Sequence, residues 1–149
     1  MDVFLIGASM EAYGRPLMAT GIWIMIGGIL LWHFGGSKRK GQDSVHSLLS
    51  ELSTEQWDLE CSRHYVEFVG ISTILAAPSL VLACAQPGWG LISLVSAVFF
   101  SMLISDVRMQ RRCPAVAQAF GATTYEVAVS SALVWLVGLI LLAIGSALW

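Results

Sequence analysis

The stretch Pro16–Ser37, PLMATGIWIMIGGILLWHFGGS, contains 22 residues without a single Lys, Arg, Asp or Glu. A helix rises about 1.5 Å per residue, so a run of this length crosses a hydrocarbon core of about 30 Å. Within it Gly21, Gly28 and Gly35 recur at every seventh position, a spacing that extends backwards through Gly14 to Gly7. A helix with glycine at those positions presents a strip of bare backbone. Lipid gives helices no hydrophobic reason to associate, so such a strip serves close van der Waals packing against another helix. A strict seven-residue repeat favours a shallow, left-handed crossing. A membrane span over about 16–36 is expected, with Gly21, Gly28 and Gly35 as a helix-packing face.

The composition around this stretch agrees with it. Hydrophobic residues make up 56% of the chain, charged residues 12%, and the mean hydropathy is +0.74. Soluble domains carry about a quarter charged residues, so the surrounding solvent is a bilayer. The net charge is −2. Nucleic-acid binding needs a clustered basic face and is not expected.

Upstream, Met1–Arg15 holds the apolar run Val3–Ile6, too short to span and with no basic residue before it. It reads as an interfacial segment rather than a cleavable leader. Pro16 suits a first helical turn, so the helix is expected to start there, leaving Gly7 and Gly14 outside the packing strip. Downstream, Trp32-His33 and Gly35-Gly36 are followed by Lys38-Arg39-Lys40, an aromatic belt and a basic stop.

Residues 41–67 form the one long polar stretch and hold six acids, Asp43, Glu51, Glu55, Asp58, Glu60 and Glu67. Val45, Leu48, Leu49 and Leu52 follow helical spacing, and Leu59 and Val66 continue one heptad position, so an amphipathic cytoplasmic helical segment is expected. Asp43 suits a cap, and Ser53-Thr54-Glu55-Gln56 resembles a capping box that restarts a helix running through Trp57 towards the second span. The segment reads as a surface helix or a docking face for a partner subunit.

Phe68–Ser105 is uncharged over 38 residues, enough for two spans, broken at Gln86-Pro87-Gly88-Trp89-Gly90. The spans are placed at about 68–86 and 88–105. Ser72, Ala76, Ser79 and Ala83 in one, and Ser93, Ala97, Ser101 and Ser105 in the other, let this hairpin close tightly. Pro78 lies inside the second span and should free the carbonyl of Ile74, making it a candidate hinge. Asp106, Arg108, Arg111 and Arg112 end the third span, Cys113–Ala122 is a connector, and Thr123-Thr124-Tyr125-Glu126 fits a capping pattern before a fourth span at about 126–148. That span carries its own seven-residue strip, Ser131, Gly138 and Gly145. The first and fourth strips can pair to close an antiparallel four-helix bundle, or either can face another protein.

Seven of the eight Lys and Arg follow the first and third spans, and only Arg15 lies on the other side. The positive-inside rule then makes both loops cytoplasmic, puts both termini outside, and places the protein in the inner (plasma) membrane as a multi-pass chain. Cys61, Cys84 and Cys113 form no paired motif. Cys61 and His64 at i, i+3 fall short of a closed zinc set, so no metal is expected. His33 reads as an interfacial residue. Asp106, Glu67 and Glu126 each have a helix-end or interfacial account, which leaves the membrane midplane without a charge and weakens a coupled-transporter reading. There is no nucleophile elbow, phosphate loop or HExxH, so neither an enzyme nor a bound cofactor is expected. The expected role is a non-catalytic membrane subunit whose partners are the bilayer and other membrane subunits or itself; the alternative is a small homo-oligomeric channel or transporter.

Overall fold

The computed structural model describes residues 2–35 and 53–149. Its elements among these are five helices and no strand: α1 Asp2–Gly35, α2 Thr54–Ala85, α3 Pro87–Arg112, α4 Pro114–Phe120 and α5 Tyr125–Leu148. Among the described residues four stretches are long and apolar enough to cross a membrane, Ala12–Gly35 within α1 and the whole of α2, α3 and α5. The chain is thus an all-α protein of multi-pass membrane type. Two compact units divide it, one of Met1–His33 with Val129–Trp149, the other Phe34–Ala128.

In the first unit α1 and α5 meet along their small residues. A Cβ built on Gly21 would sit 2.7 Å from the Gly138 carbonyl oxygen and 2.8 Å from the Leu142 nitrogen. One built on Gly28 would meet the Ser131 carbonyl at 3.1 Å, and one on Gly14 the Gly145 carbonyl at 2.9 Å. As the numbers rise along α1 they fall along α5, so the two helices run in opposite directions. The backbones approach so closely that no side chain fits between them.

Two expectations for this helix are corrected. Pro16 does not start it, because the helix runs unbroken from Asp2 through Pro16 to Gly35. Gly14 belongs to the packing strip. Contacts on both sides of the proline hold the backbone helical: before it Gly14 lies against Gly145 and the Arg15 guanidinium 5.5 Å from the Trp149 ring centroid, and after it the Met18 backbone lies against Gly145. Proline's missing donor costs one hydrogen bond, a loss membrane helices tolerate where neighbours pack against them. Gly35 is the last residue of α1.

The second unit is a hairpin of α2 and α3 closed at Gln86-Pro87. Gln86 caps α2 by donating its N–H to the Leu82 carbonyl at 2.7 Å, and proline opens α3 at its first position. Gly90 lies against Ala83, Ser93 against Ser79, and Ser105 against His64. Ser53 is the N-cap of α2, its hydroxyl accepting from the Gln56 N–H at 3.2 Å. From there the helix is continuous for 32 residues.

Residues 54–67 thus run without a break into the second span, as the cap at Ser53 implies; the remainder of the expected amphipathic segment, 41–52, lies outside the described residues. The third span likewise extends past Ser105, taking Asp106, Arg108, Arg111 and Arg112 into α3. The connector after it folds into α4, which ends at Gly121 with φ 83°, a left-handed conformation that glycine adopts without strain. The capping pattern at 123–126 is displaced by one residue. Thr124 offers its carbonyl to the Ala128 N–H at the start of α5, while the Thr123 N–H is taken by Asp106.

Candidate functional site

In the second unit α2, α3 and the α4–α5 connector converge on a polar cluster. Its geometry follows from helix spacing. Glu60, His64 and Glu67 fall three or four residues apart on α2 and share one face. Ser105 and Arg112, seven apart on α3, face them.

Ser105 is fully buried, its hydroxyl donating to the His64 carbonyl at 3.2 Å and lying 2.9 Å from His64 Nδ1. The opposite ring nitrogen, Nε2, is 3.7 Å from Asp106 Oδ1, within ion-pair range but beyond a hydrogen bond. Asp106 is 6% exposed, and its Oδ2 accepts the Thr123 N–H at 3.1 Å. Phe120 closes the site from α4, its ring meeting the His64 ring at 66° with centroids 5.1 Å apart. The account of Asp106 as a helix-end residue is thus corrected. It stands within α3, enclosed, and organises the connector.

One turn further along α3, Arg112 bridges two carboxylates. Its Nη1 donates to Glu67 Oε1, and its Nε is 3.5 Å from Glu60 Oε2. Arg63 joins at the edge, 3.9 Å from the same Glu67 oxygen. The carboxylates and Arg112 are each less than a quarter exposed. Removing two acids from water is tolerable because a guanidinium stands between them. Beside this network Met109, Val116, Ala117 and Ala122 form an apolar core, with Trp57, Cys61 and Cys113 packed against it.

The residues singled out from sequence separate into two sets. Gly21, Gly28, Ser131, Gly138 and Gly145 stand together in the first unit, all buried. Pro78 is exposed on α2, and the helix continues through it without a break. Next to it, Ser79 and Ser93 bond hydroxyl to hydroxyl at 2.8 Å across the hairpin. Trp135 is 2% exposed and Trp23 71%, so only the first is a packing residue here. In the sequence His64 reads only as an incomplete metal ligand beside Cys61, Ser105 as a small packing residue of the hairpin, and Glu60 as one acid of the polar stretch. Their signal was the i, i+4, i+7 run Glu60, His64, Glu67, hidden because it was read against the apolar stripe of Leu59 and Val66.

What the cluster can do chemically is limited by enclosure. A Ser–His–Asp set suggests nucleophilic catalysis, but the Ser105 hydroxyl has no exposure to a substrate. Among the described residues, no group of three or more His, Cys, Asp or Glu side chains is placed to hold a metal ion. The arrangement suits holding helices together. No protein-family model, no curated protein and no solved structure matches this chain.

Proposed function

We propose that this protein is a non-catalytic integral membrane subunit of a larger inner-membrane assembly, of the secretion, conjugation or energy-coupling type. The observation that carries this reading is the polarity of the first half of α2. Glu60, His64 and Glu67 are turned inward, while Leu59, Tyr65 and Val66 are 65, 66 and 68% exposed. A helix segment that shows three large apolar side chains while turning Glu60, His64 and Glu67 inward is matched to surroundings that are largely apolar, either acyl chains or a neighbouring subunit. The acids Glu55 and Asp58 on the same exposed surface favour the protein neighbour.

In this reading the two helix pairs gather as an antiparallel four-helix bundle. The basic loops after the first and third spans face the cytoplasm, the termini face outward, and no nucleic acid or cofactor takes part. The small-residue strips are spent within the chain, so the partner surface is the α2 face rather than the glycines.

The channel alternative draws less support. Ser79 and Ser93 bond each other, and the Ser96 and Ser101 hydroxyls donate to Ile92 and Ala97 carbonyls of their own helix. Hydroxyls engaged in this way serve to close the hairpin, which leaves fewer of them to line a water path.

The experiment is extraction of the C-terminally tagged chain from its native host in mild detergent. Stoichiometric partners that disappear from an L59E/V66E variant support the subunit reading. A homo-oligomer without partners overturns it, and flux in proteoliposomes would then promote the channel.

A further inference from the structure

Within α3, Arg108 lies 19 residues beyond Trp89. At about 1.5 Å per residue this is about 29 Å of helix, close to a hydrocarbon core of about 30 Å. With Trp89 in one interfacial belt, Arg108 stands at the headgroup level of the other, and Arg111 follows about one turn further out. Ile104, Arg108 and Arg111 fall at i, i+4 and i+7, share one face of the helix, and are all exposed. That face is apolar up to the headgroups and doubly cationic at them.

Among the described residues, the ion pairs to carboxylates are made by Arg63, His64 and Arg112, and neither Arg108 nor Arg111 makes one. Arg111 instead stands over the ring of Tyr125, 5.9 Å from its centroid. A cation–π contact holds a guanidinium in place without neutralising it. Tyr125 opens α5 and is 59% exposed, a residue type that settles among headgroups. The acids of residues 104–126 are Asp106, enclosed and holding the Thr123 N–H, and Glu126 in the first turn of α5.

We propose that Arg108 and Arg111 hold the phosphate of a phospholipid of net negative charge, with its acyl chain along Ile104 and its headgroup beside Tyr125. A guanidinium presents a planar fork of donors that matches phosphate oxygens, and two of them a turn apart can share one phosphodiester. A zwitterionic lipid offers the same phosphate but brings its own cation, so two uncompensated arginines favour the anionic one. Ile104, exposed on the same face, favours a lipid over a free anion. The inference needs only a membrane-spanning α3 and does not depend on the subunit reading.

The test is native mass spectrometry of the full-length protein in a neutral detergent, titrated with phosphatidylglycerol or with phosphatidylcholine of the same acyl chains. Basic residues at a membrane surface contribute about 1 kcal/mol each towards anionic lipid, so the wild type should bind phosphatidylglycerol about thirtyfold more tightly. R108Q/R111Q should lose most of that ratio, and R108Q alone about fivefold of it. Arg108 has no ion pair to lose, so R108Q reports even where the double variant fails to fold. R15Q/R63Q removes the same number of charges elsewhere and should keep the ratio. Equal affinity for the two lipids, a wild-type ratio in R108Q, or a loss in R15Q/R63Q as large as in R108Q/R111Q overturns the proposal. Displacement of phosphatidylglycerol by inorganic phosphate, beyond that by chloride at equal ionic strength, also overturns it by showing a free-anion site. So does loss of a co-purifying acidic protein from R108Q/R111Q with lipid affinity unchanged, which would make the pair a protein-docking site.

Discussion

The two helix pairs of this chain solve one problem in opposite ways. In α1 and α5 the contact is built on glycines, whose backbones meet the opposite backbone with apolar side chains such as Met25 and Trp135 packed beside them. In α2 and α3 the contact surface is furnished with side chains that need one another: paired serines, a histidine against an aspartate, and an arginine between two glutamates. Glycine backbone contact works anywhere in a bilayer, because it contains no group that lipid would penalise. Charged contact works only where every member is present, since a buried charge without its counter-charge is costly. The first pair should therefore be sensitive to added volume and indifferent to charge, and the second the reverse.

The sharpest test is Arg112→Ala. It leaves Glu60 and Glu67 facing each other with Arg63 alone at the edge, and should cost about 3 kcal/mol, read as a lowered midpoint in mixed-micelle unfolding. Replacing the set together, E60Q/E67Q/R112M, should recover most of that loss, because the penalty comes from uncompensated charge. If the triple variant is as unstable as the single one, the cluster holds the hairpin by shape, and the contrast between the pairs fails.

Next comes Gly21→Ala, one carbon added where the Gly138 carbonyl and the Leu142 nitrogen leave no room. Backbone cannot rotate away as a side chain can, so the helices must separate, at a cost of about 2 kcal/mol. The expected readout is a lowered unfolding midpoint with the α2–α3 hairpin unaffected, as monitored by exchange of residues 87–112. An unchanged midpoint would mean that the glycine strip is not a stabilising contact.

Much of this division was legible in the sequence, for a physical reason. Glycine at every seventh residue has one common use inside a membrane, and the turn at Gln86-Pro87 and the cap at Ser53 are local features that neighbouring residues specify. Helix ends decided by distant contacts were not legible. Pro16 is a start signal that contacts from Trp149 and Gly145 override. α3 passes Ser105 because Asp106 and Arg112 find partners on α2, which raw charge cannot reveal. The polar cluster escaped for a related reason: in a soluble helix the apolar stripe marks the inside, whereas here Leu59 and Val66 point out and His64 points in.

Ser79→Ala probes the boundary between the two modes, since it breaks the hydroxyl pair with Ser93 but leaves close packing in place. Interhelical hydrogen bonds within membranes average about 0.6 kcal/mol, so a small drop of that size is expected in the same unfolding assay. A loss above about 2 kcal/mol would make the serine pair a principal fastening of the hairpin and move the emphasis away from the charged end.

The smallest effect carries the most specific claim. Gly27 and Gly28 are adjacent in sequence and alike in chemistry, yet a Cβ on Gly28 would meet Ser131 and Trp135 backbone at 3.1 and 3.3 Å, whereas one on Gly27 would meet nothing within 4 Å. Alanine at 27 relieves the entropy that glycine loses in a helix, worth about 0.5 kcal/mol, so Gly27→Ala should leave the midpoint unchanged or raise it slightly. Gly28→Ala gains the same entropy and must also displace α5 by a few tenths of an ångström, so it should fall below Gly27→Ala in the same assay. The pair cancels helix propensity, hydrophobicity and position in the membrane, leaving contact with the opposite backbone as the one difference. Equal midpoints for the two variants would show that helix propensity outweighs backbone contact at this end of the strip, confining the close approach to the Gly14 and Gly21 levels.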